Sequence, residues 1–213
     1  MALRIATRAS KLALTQAGMV AEMLGGAELV EASSDGEPGD KSRFVRGVER
    51  ALLAAEAEVG VHSAKDLPGE MPDGLEIVAV PPREDPADAW IGVGSSLADV
   101  PEGARVGTAS LRRRAQLLAV RPDLRIEELH GNVDTRLRKL ESGDLDAIVL
   151  AAAGLRRLGR EAEIGFALAG ETMVPAAGQG SLALQIRSGD EATATAVAES
   201  GAGDADALRA LSA

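Results

Sequence analysis

The chain contains no cysteine. That excludes disulfides, thiolate metal sites and a cysteine nucleophile. It also has no tyrosine, and one Trp and two Phe are its only other aromatics. The hydrophobic core must therefore be aliphatic, and stacking platforms for single-stranded nucleic acid are excluded. Only two histidines are present, His62 and His130, which argues against a His-rich metal centre. No run approaches 18 apolar residues, and the opening Met1-Ala2-Leu3-Arg4-Ile5 alternates without an apolar signal core. The sequence thus predicts a cytoplasmic protein with no membrane partner.

What is present is an ordinary soluble composition, 46% hydrophobic and 26% charged over 213 residues. This length suits one large domain or two small ones and buries about 70% of its extended surface on folding, so no metal or disulfide staple is needed. The net charge is −10, which repels nucleic acid. The charge is uneven, however. Residues 105–160 hold twelve Arg or Lys against seven Asp or Glu, a balance of +5, and the remainder carries −15. Such a basic island fits either a local anion site or a set of solvated helix faces.

Hydrophobic periodicity alternates strands with helices throughout, which predicts the α/β class. Strands are expected at 3–5, 28–32, 59–61, 75–80, 90–93, 105–107, 125–129, 146–153 and 182–186. Helices are expected after Ser10, with Leu12, Gln16, Met19 and Met23 as the apolar stripe, and over 42–55, with Phe44, Val48, Leu52 and Ala55 inward. Others follow Ser110, and run over 133–141, 155–158 and 191–199. The stiff Pro81-Pro82-Arg83-Glu84-Asp85-Pro86 and the segment 173–180 read as crossings between two domains, one of residues 1–82 plus 177–200, the other of 83–176. Residues 201–213 read as a linker and the start of a further domain.

One pattern recurs. A strand ends, a short polar loop follows and a helix begins, at Thr7-Arg8-Ala9-Ser10, at Gly107-Thr108-Ala109-Ser110-Leu111-Arg112-Arg113 and at His130-Gly131-Asn132-Val133-Asp134-Thr135-Arg136. In open α/β sheets such loops gather at the carboxyl ends of strands, where ligands bind. Helix N-termini, hydroxyls and arginine forks all favour anions there. The three loops together point to a carboxylate or phosphate pocket, although each alone fits a plain helix cap. No glycine fingerprint for nucleotides is present. In His62-Ser63-Ala64-Lys65-Asp66, a cation and a carboxylate adjoin at a strand end. Asp66 there fits either a group that stabilises a developing cation or shuttles a proton, or a turn carboxylate satisfied by backbone amides. His62 has no nucleophile or metal partner at a recognisable spacing and reads as structural.

These residues carry a resemblance. Val61-His62-Ser63-Ala64-Lys65-Asp66-Leu67-Pro68 is similar to the V-H-S-x-K-D-x-P signature of the hydroxymethylbilane synthase (porphobilinogen deaminase) family. So are Arg4 to Ala13, Arg83-Glu84-Asp85-Pro86, Gly107 to Arg113, Gly131 to Arg136 and Pro175-Ala176-Ala177-Gly178-Gln179-Gly180, in the family's order over residues 3–187. The resemblance implies a type II periplasmic-binding-protein-like α/β fold with mixed sheets and a cleft between two lobes. It implies a monomeric transferase that deaminates four porphobilinogen molecules and joins them head to tail into hydroxymethylbilane, on a dipyrromethane cofactor. Asp66 is then the catalytic carboxylate. Lys65, Ser63, Arg112, Arg113, Ser110, Thr108 and Lys41 are implied to hold the cofactor. Arg8, Ser10, Gln16, Arg136, Arg157, Gln179 and His130 are implied to hold the substrate and growing chain.

Three departures stand out. His130 occupies the place of a usual arginine, so its charge depends on pH. The loop 33–43 is short, with Lys41 in place of the usual lysine. The family's third domain, with the cysteine whose thioether anchors the cofactor, has no counterpart in these 213 residues. The alternative to an enzyme is a non-catalytic anion-binding protein on the same bilobed fold.

Overall fold

A computed structural model describes residues 3–33, 43–168 and 170–212. The chain falls into two compact units, Met1–Glu84 with Ser181–Ala213, and Asp85–Gly180. The segment 201–212 packs in the first of these. Ala202 is buried in its core, and the Asp204 amide donates to the Val80 carbonyl at 2.8 Å.

Unit 1 is built on one mixed sheet. Strand β1 (Leu3–Arg8) leads into helix α1 (Lys11–Met23), followed by β2 (Ala27–Ala32), α2 (Arg43–Leu53), β3 (Val59–Ser63) and β4 (Leu75–Ala79). The chain returns after unit 2 as β10 (Leu182–Arg187), α6 (Glu191–Glu199) and α7 (Ala205–Ser212). The strand order is β2-β1-β3-β10-β4. β1 runs parallel to β2 and β3, and β10 is antiparallel to β3 and β4.

Unit 2 repeats this plan. It contains β5 (Asp88–Gly92), β6 (Arg105–Gly107), α3 (Leu111–Val120), β7 (Arg125–Glu127), α4 (Val133–Glu141), β8 (Ala147–Ala151), α5 (Ala152–Arg157) and β9 (Phe166–Leu168). The order is β7-β6-β8-β5-β9, with β6 parallel to both neighbours and β5 antiparallel to β8 and β9. In both sheets three parallel strands are followed by two antiparallel to their neighbours. The antiparallel strand inserted beside them is the one that follows a crossing: β5 after 81–86, β10 after 173–180.

The cores explain where the periodicity succeeds and fails. Helix α1 buries Gln16, Ala17, Val20 and Ala21, while Met23 is exposed. The inward stripe is thus rotated from Leu12, Gln16, Met19 and Met23 towards small residues that admit the sheet closely. In α2, Val48 and Leu52 point inward, and Ala55 lies beyond the helix end in the left-handed region, φ 56°, exposed to solvent. The strand expected over 146–153 stops at Ala151, where α5 begins. Strand β9 is a short edge with no periodic signal of its own. Its Phe166 stacks on fully buried Trp90, ring centroids 5.6 Å apart, so two of the three aromatics meet in the core of unit 2.

Gly60 in β3 lets α2 approach the sheet. A Cβ there would lie 2.8 Å from Val48 Cγ1, 3.0 Å from Leu52 Cδ1 and 3.3 Å from His62 Nε2. Gly60→Ala is expected to destabilise unit 1 by about 1–3 kcal/mol through overpacking. Urea unfolding checks this, and an unchanged midpoint would show that α2 can retreat at no cost.

Candidate active site

The expected residues fall into two groups, one in each unit. In unit 1 they lie at the carboxyl ends of β1 and β3. Arg8 ends β1. Ser10 caps α1, its hydroxyl accepting from the Ala13 amide at 3.3 Å. Ser63 ends β3, and a 3-10 turn, Ala64–Asp66, follows at once. The Ala64 amide donates to the Ser181 carbonyl, 3.0 Å, which ties that turn to the start of β10.

A small open recess is lined by Arg8, Gln16, His62, Ser63 and Asp66 together with Ala13, Val45 and Val61. Gln16 is 5% exposed, and its Oε1 accepts from the Ser63 hydroxyl at 3.2 Å. The recess therefore offers a guanidinium, a carboxylate, an amide and a hydroxyl beside three small apolar side chains. Lys65, exposed, is not among its lining residues. Lys41 lies outside the described residues.

His62 lines this recess and belongs to a buried polar chain with Gln185 of β10 and Glu49 of α2. Its Nε2 lies 2.9 Å from Gln185 Oε1, so it is the Nε2 proton that is donated, because an amide oxygen can only accept. Gln185 in turn donates to Met71 Sδ at 3.5 Å. Buried Glu49 faces Gln185, and burial raises its pKa against a hydrogen bond from that amide. Glu49 Oε1 has no hydrogen-bond partner among the described residues. Burial pushes His62 down to about 4, with Gln185 opposing and Arg8 assisting. The imidazole is neutral at physiological pH.

In unit 2 the expected residues gather on a group that the sequence reading passes over, Asp88. This carboxylate opens β5 and is fully buried. Its Oδ2 accepts from Arg112 NH2 at 2.7 Å. Its Oδ1 accepts from Arg113 Nε at 3.0 Å, Arg113 NH2 at 2.7 Å and Gln179 Nε2 at 3.0 Å. Arg113 is 6% exposed and also donates from NH1 to the Val149 carbonyl at 2.8 Å. Burial pulls its pKa down while Asp88 holds it up. Arg112 is three-quarters buried and donates from NH1 to the Val174 carbonyl at 2.6 Å.

Nearby, the Thr108 hydroxyl accepts from the Ser110 amide at 3.1 Å, and the Ser110 hydroxyl caps α3, accepting from the Arg113 amide at 3.4 Å. Gln179 also donates to the Pro86 carbonyl at 2.6 Å, and Arg157 to the Gly180 carbonyl at 2.6 Å. His130 lies just before α4 and Arg136 in its first turn. Arg136 donates to the Gly131 carbonyl at 2.8 Å, and exposed His130 is 3.7 Å from Glu128. The sequence signal for Asp88 was a lone carboxylate entering the apolar run Ala89-Trp90-Ile91. It was hidden because the strand was expected to start at Trp90.

Much of the basic island is internal pairing. Arg105 meets Asp146, Arg121 meets Asp123, Arg156 meets Asp85 and Glu161, and Arg160 meets Asp134 and Glu163. No group of three or more metal-ligating side chains occurs among the described residues. No helix among them is long and apolar enough to cross a membrane.

Residues 3–195 match the family model described as porphobilinogen deaminase, dipyromethane cofactor binding domain. A porphobilinogen deaminase of Brevibacillus brevis is 47% identical, the match covering 89% of this chain and 67% of that protein. One from Geobacter metallireducens is 46% identical, covering 89% and 64%. The chain thus spans about two thirds of the length of these relatives. Among solved structures, a putative methionine-binding lipoprotein of Bacillus subtilis is 13% identical with a TM-score of 0.56, covering 96% of this chain and 91% of that one. The VFT2 domain of Bordetella pertussis BvgS is 15% identical with a TM-score of 0.53, covering 99% and 91%. At these identities the likeness concerns the fold alone, the periplasmic-binding-protein-like α/β fold.

His62 gives this site a pH signature. Unfolded, it titrates near 6.5; folded, near 4. Above pH 6.5 both states are neutral and stability is complete. As pH falls from 6.5 to 4 the unfolded chain takes up the proton first, and about 3 kcal/mol is lost across that window. His62→Gln is expected to lose correspondingly less between those pH values. Urea unfolding at a series of pH values checks it, and parallel curves for the two proteins would refute the burial of a neutral imidazole.

Proposed function

The chain belongs to the porphobilinogen deaminase family, and from that premise we propose that it supplies the substrate-handling units of a hydroxymethylbilane synthase. In this reading units 1 and 2 are the first two domains of a cytoplasmic monomer, with porphobilinogen as substrate and neither nucleic acid nor membrane as partner. The observation that carries it is the recess of unit 1, where Asp66 shares one rim with Arg8, Gln16 and Ser63.

The chemistry follows from charge. Porphobilinogen carries an acetate and a propionate on a pyrrole bearing an aminomethyl group. Arg8 supplies a fork for a carboxylate. Loss of ammonia from the aminomethyl carbon leaves a cation delocalised over the pyrrole, and Asp66 offers a fixed negative charge to it. Attack by the α-carbon of a second pyrrole releases a proton that a carboxylate in reach can accept. Gln16 and Ser63 orient the ring. In unit 2, Arg112, Thr108, Ser110, Arg136 and Arg157 serve further carboxylates with His130 as a further donor, while Gln179, whose amide hydrogens go to the Pro86 carbonyl and Asp88, braces the site from within. Ser10 and Lys65 complete the set in unit 1.

The dipyrromethane cofactor fits only in part. The arginines match its carboxylates, but a thioether anchor requires a thiol and the chain has none. No step is therefore assigned to a covalently held cofactor in these 213 residues. The expected result for the purified chain is binding of porphobilinogen without sustained turnover. Titration calorimetry should show binding that Arg8→Leu weakens by about tenfold or more, the scale of one charge-assisted contact. A substrate-consumption assay should show no repeated tetrapyrrole formation. Multiple turnovers by the chain alone, or unchanged affinity in Arg8→Leu, would overturn the reading.

A further inference from the structure

We propose that Asp88 is a positioning residue that presents Arg112 to a ligand carboxylate, with Arg113 as its buried strut. The inference rests on the reading that unit 2 handles carboxylated pyrroles.

The argument is an account of donors. A guanidinium has five N–H groups. Arg113 commits Nε, NH1 and NH2 to Asp88 and the Val149 carbonyl and is 6% exposed. It has little surface left to offer. Arg112 spends one N–H on Asp88 Oδ2 and one on the Val174 carbonyl, while a quarter of its side chain faces solvent. It is pinned at two points and retains three N–H groups for another acceptor. Gln116 fixes the second anchor. Its Oε1 accepts from the Val174 amide at 2.7 Å and its Nε2 donates to the Val174 carbonyl at 3.1 Å.

Charge agrees with geometry. Two guanidinium groups against one carboxylate leave this cluster one negative charge short. Asp88 has accepted four donors from three side chains that the family resemblance assigns to ligands, and its own solvent exposure is nil. It touches no ligand itself. Its effect on binding is exerted through the direction in which Arg112 points, and a held fork loses less freedom on binding than a free one.

Asp88→Asn tests this. The asparagine can keep its oxygen towards Arg113 and Gln179, but its amide then faces the Arg112 NH2, donor against donor. Arg112 is released although the shape of the core is kept. Affinity for porphobilinogen, measured by calorimetry, should fall about tenfold or more in Asp88→Asn and likewise in Arg112→Leu. The double variant should bind no more weakly than Arg112→Leu alone, since both changes remove the same contact. Near-UV circular dichroism of Trp90, two residues from Asp88, reports whether the core survives. Losses that multiply in the double variant, or unchanged affinity in Asp88→Asn beside a weakened Arg112→Leu, overturn the positioning role alone. Unchanged affinity in Arg112→Leu removes Arg112 from the ligand and the proposal with it. Should Asp88→Asn fail to fold, NMR of the wild-type chain decides. Separate, slowly exchanging Arg112 guanidinium resonances are expected, and a single averaged signal overturns the proposal.

Discussion

The sheet of unit 1 cannot be completed without β10. Four of its strands lie within the first 79 residues, yet the fifth, Leu182–Arg187, sits between β3 and β4. Its register places Leu182 opposite Ser63 and Gln185 opposite Gly60. From there Gln185 reaches His62, and the residue before the strand, Ser181, accepts from the amide that starts the Lys65–Asp66 turn. The Lys65–Asp66 turn is therefore supported by a strand more than a hundred residues away. Such distant pairing carries a loop-closure cost that local contacts do not, which favours slow folding of unit 1 relative to its size.

Charge inside this protein does structural work before it does chemistry. Arg4 reaches the Glu58 carboxylate and the Ala55 carbonyl, fastening the start of β1 to the turn before β3. Arg105 does the same with Asp146 and Gly143 in unit 2. The two pairs occupy matching places, at the first residues of β1 and β6 against the turns that lead into β3 and β8. Surface pairs such as Arg105–Asp146 add little stability singly, but each of the two arginines also holds a carbonyl, which fixes chain direction at the start of an inner strand. A positive balance over 105–160 was thus a mixed signal, because an arginine fastening a strand and an arginine awaiting a ligand look alike in one dimension.

Local chemistry was legible. Ser10 and Ser110 were readable as caps because a short side-chain oxygen before an apolar period has few other uses, and both accept from an amide three residues on. The carboxyl-end loops were readable for the same reason. Burial of polar side chains was not. Asp88, Gln185 and Glu49 each sit in a run that reads as surface or as plain core, and only partners brought from elsewhere in the chain make their burial tolerable. The rotation of α1 was hidden by composition. With alanine at 13, 17 and 21, several faces are equally apolar, and the sheet selects the smallest.

The two units show that scaffold and chemistry are separable. After the first parallel strand of each sheet comes a serine cap and then a helix, Ser10 before α1 and Ser110 before α3. The backbone arrangement is shared, with free amides at the helix start in both. What differs is the second and third helical residues, Leu12 and Ala13 in α1 against Arg112 and Arg113 in α3. In unit 1 the cation comes instead from the strand end, Arg8, and a carboxylate follows at Asp66. In unit 2 both cations ride on the helix, and the carboxylate is withdrawn into the core as Asp88. One topology therefore carries a half-buried acid near a strand-end arginine in unit 1, and two helix-borne arginines on a fully buried acid in unit 2. The fold is common to both units, and the placement of charge is what tells them apart.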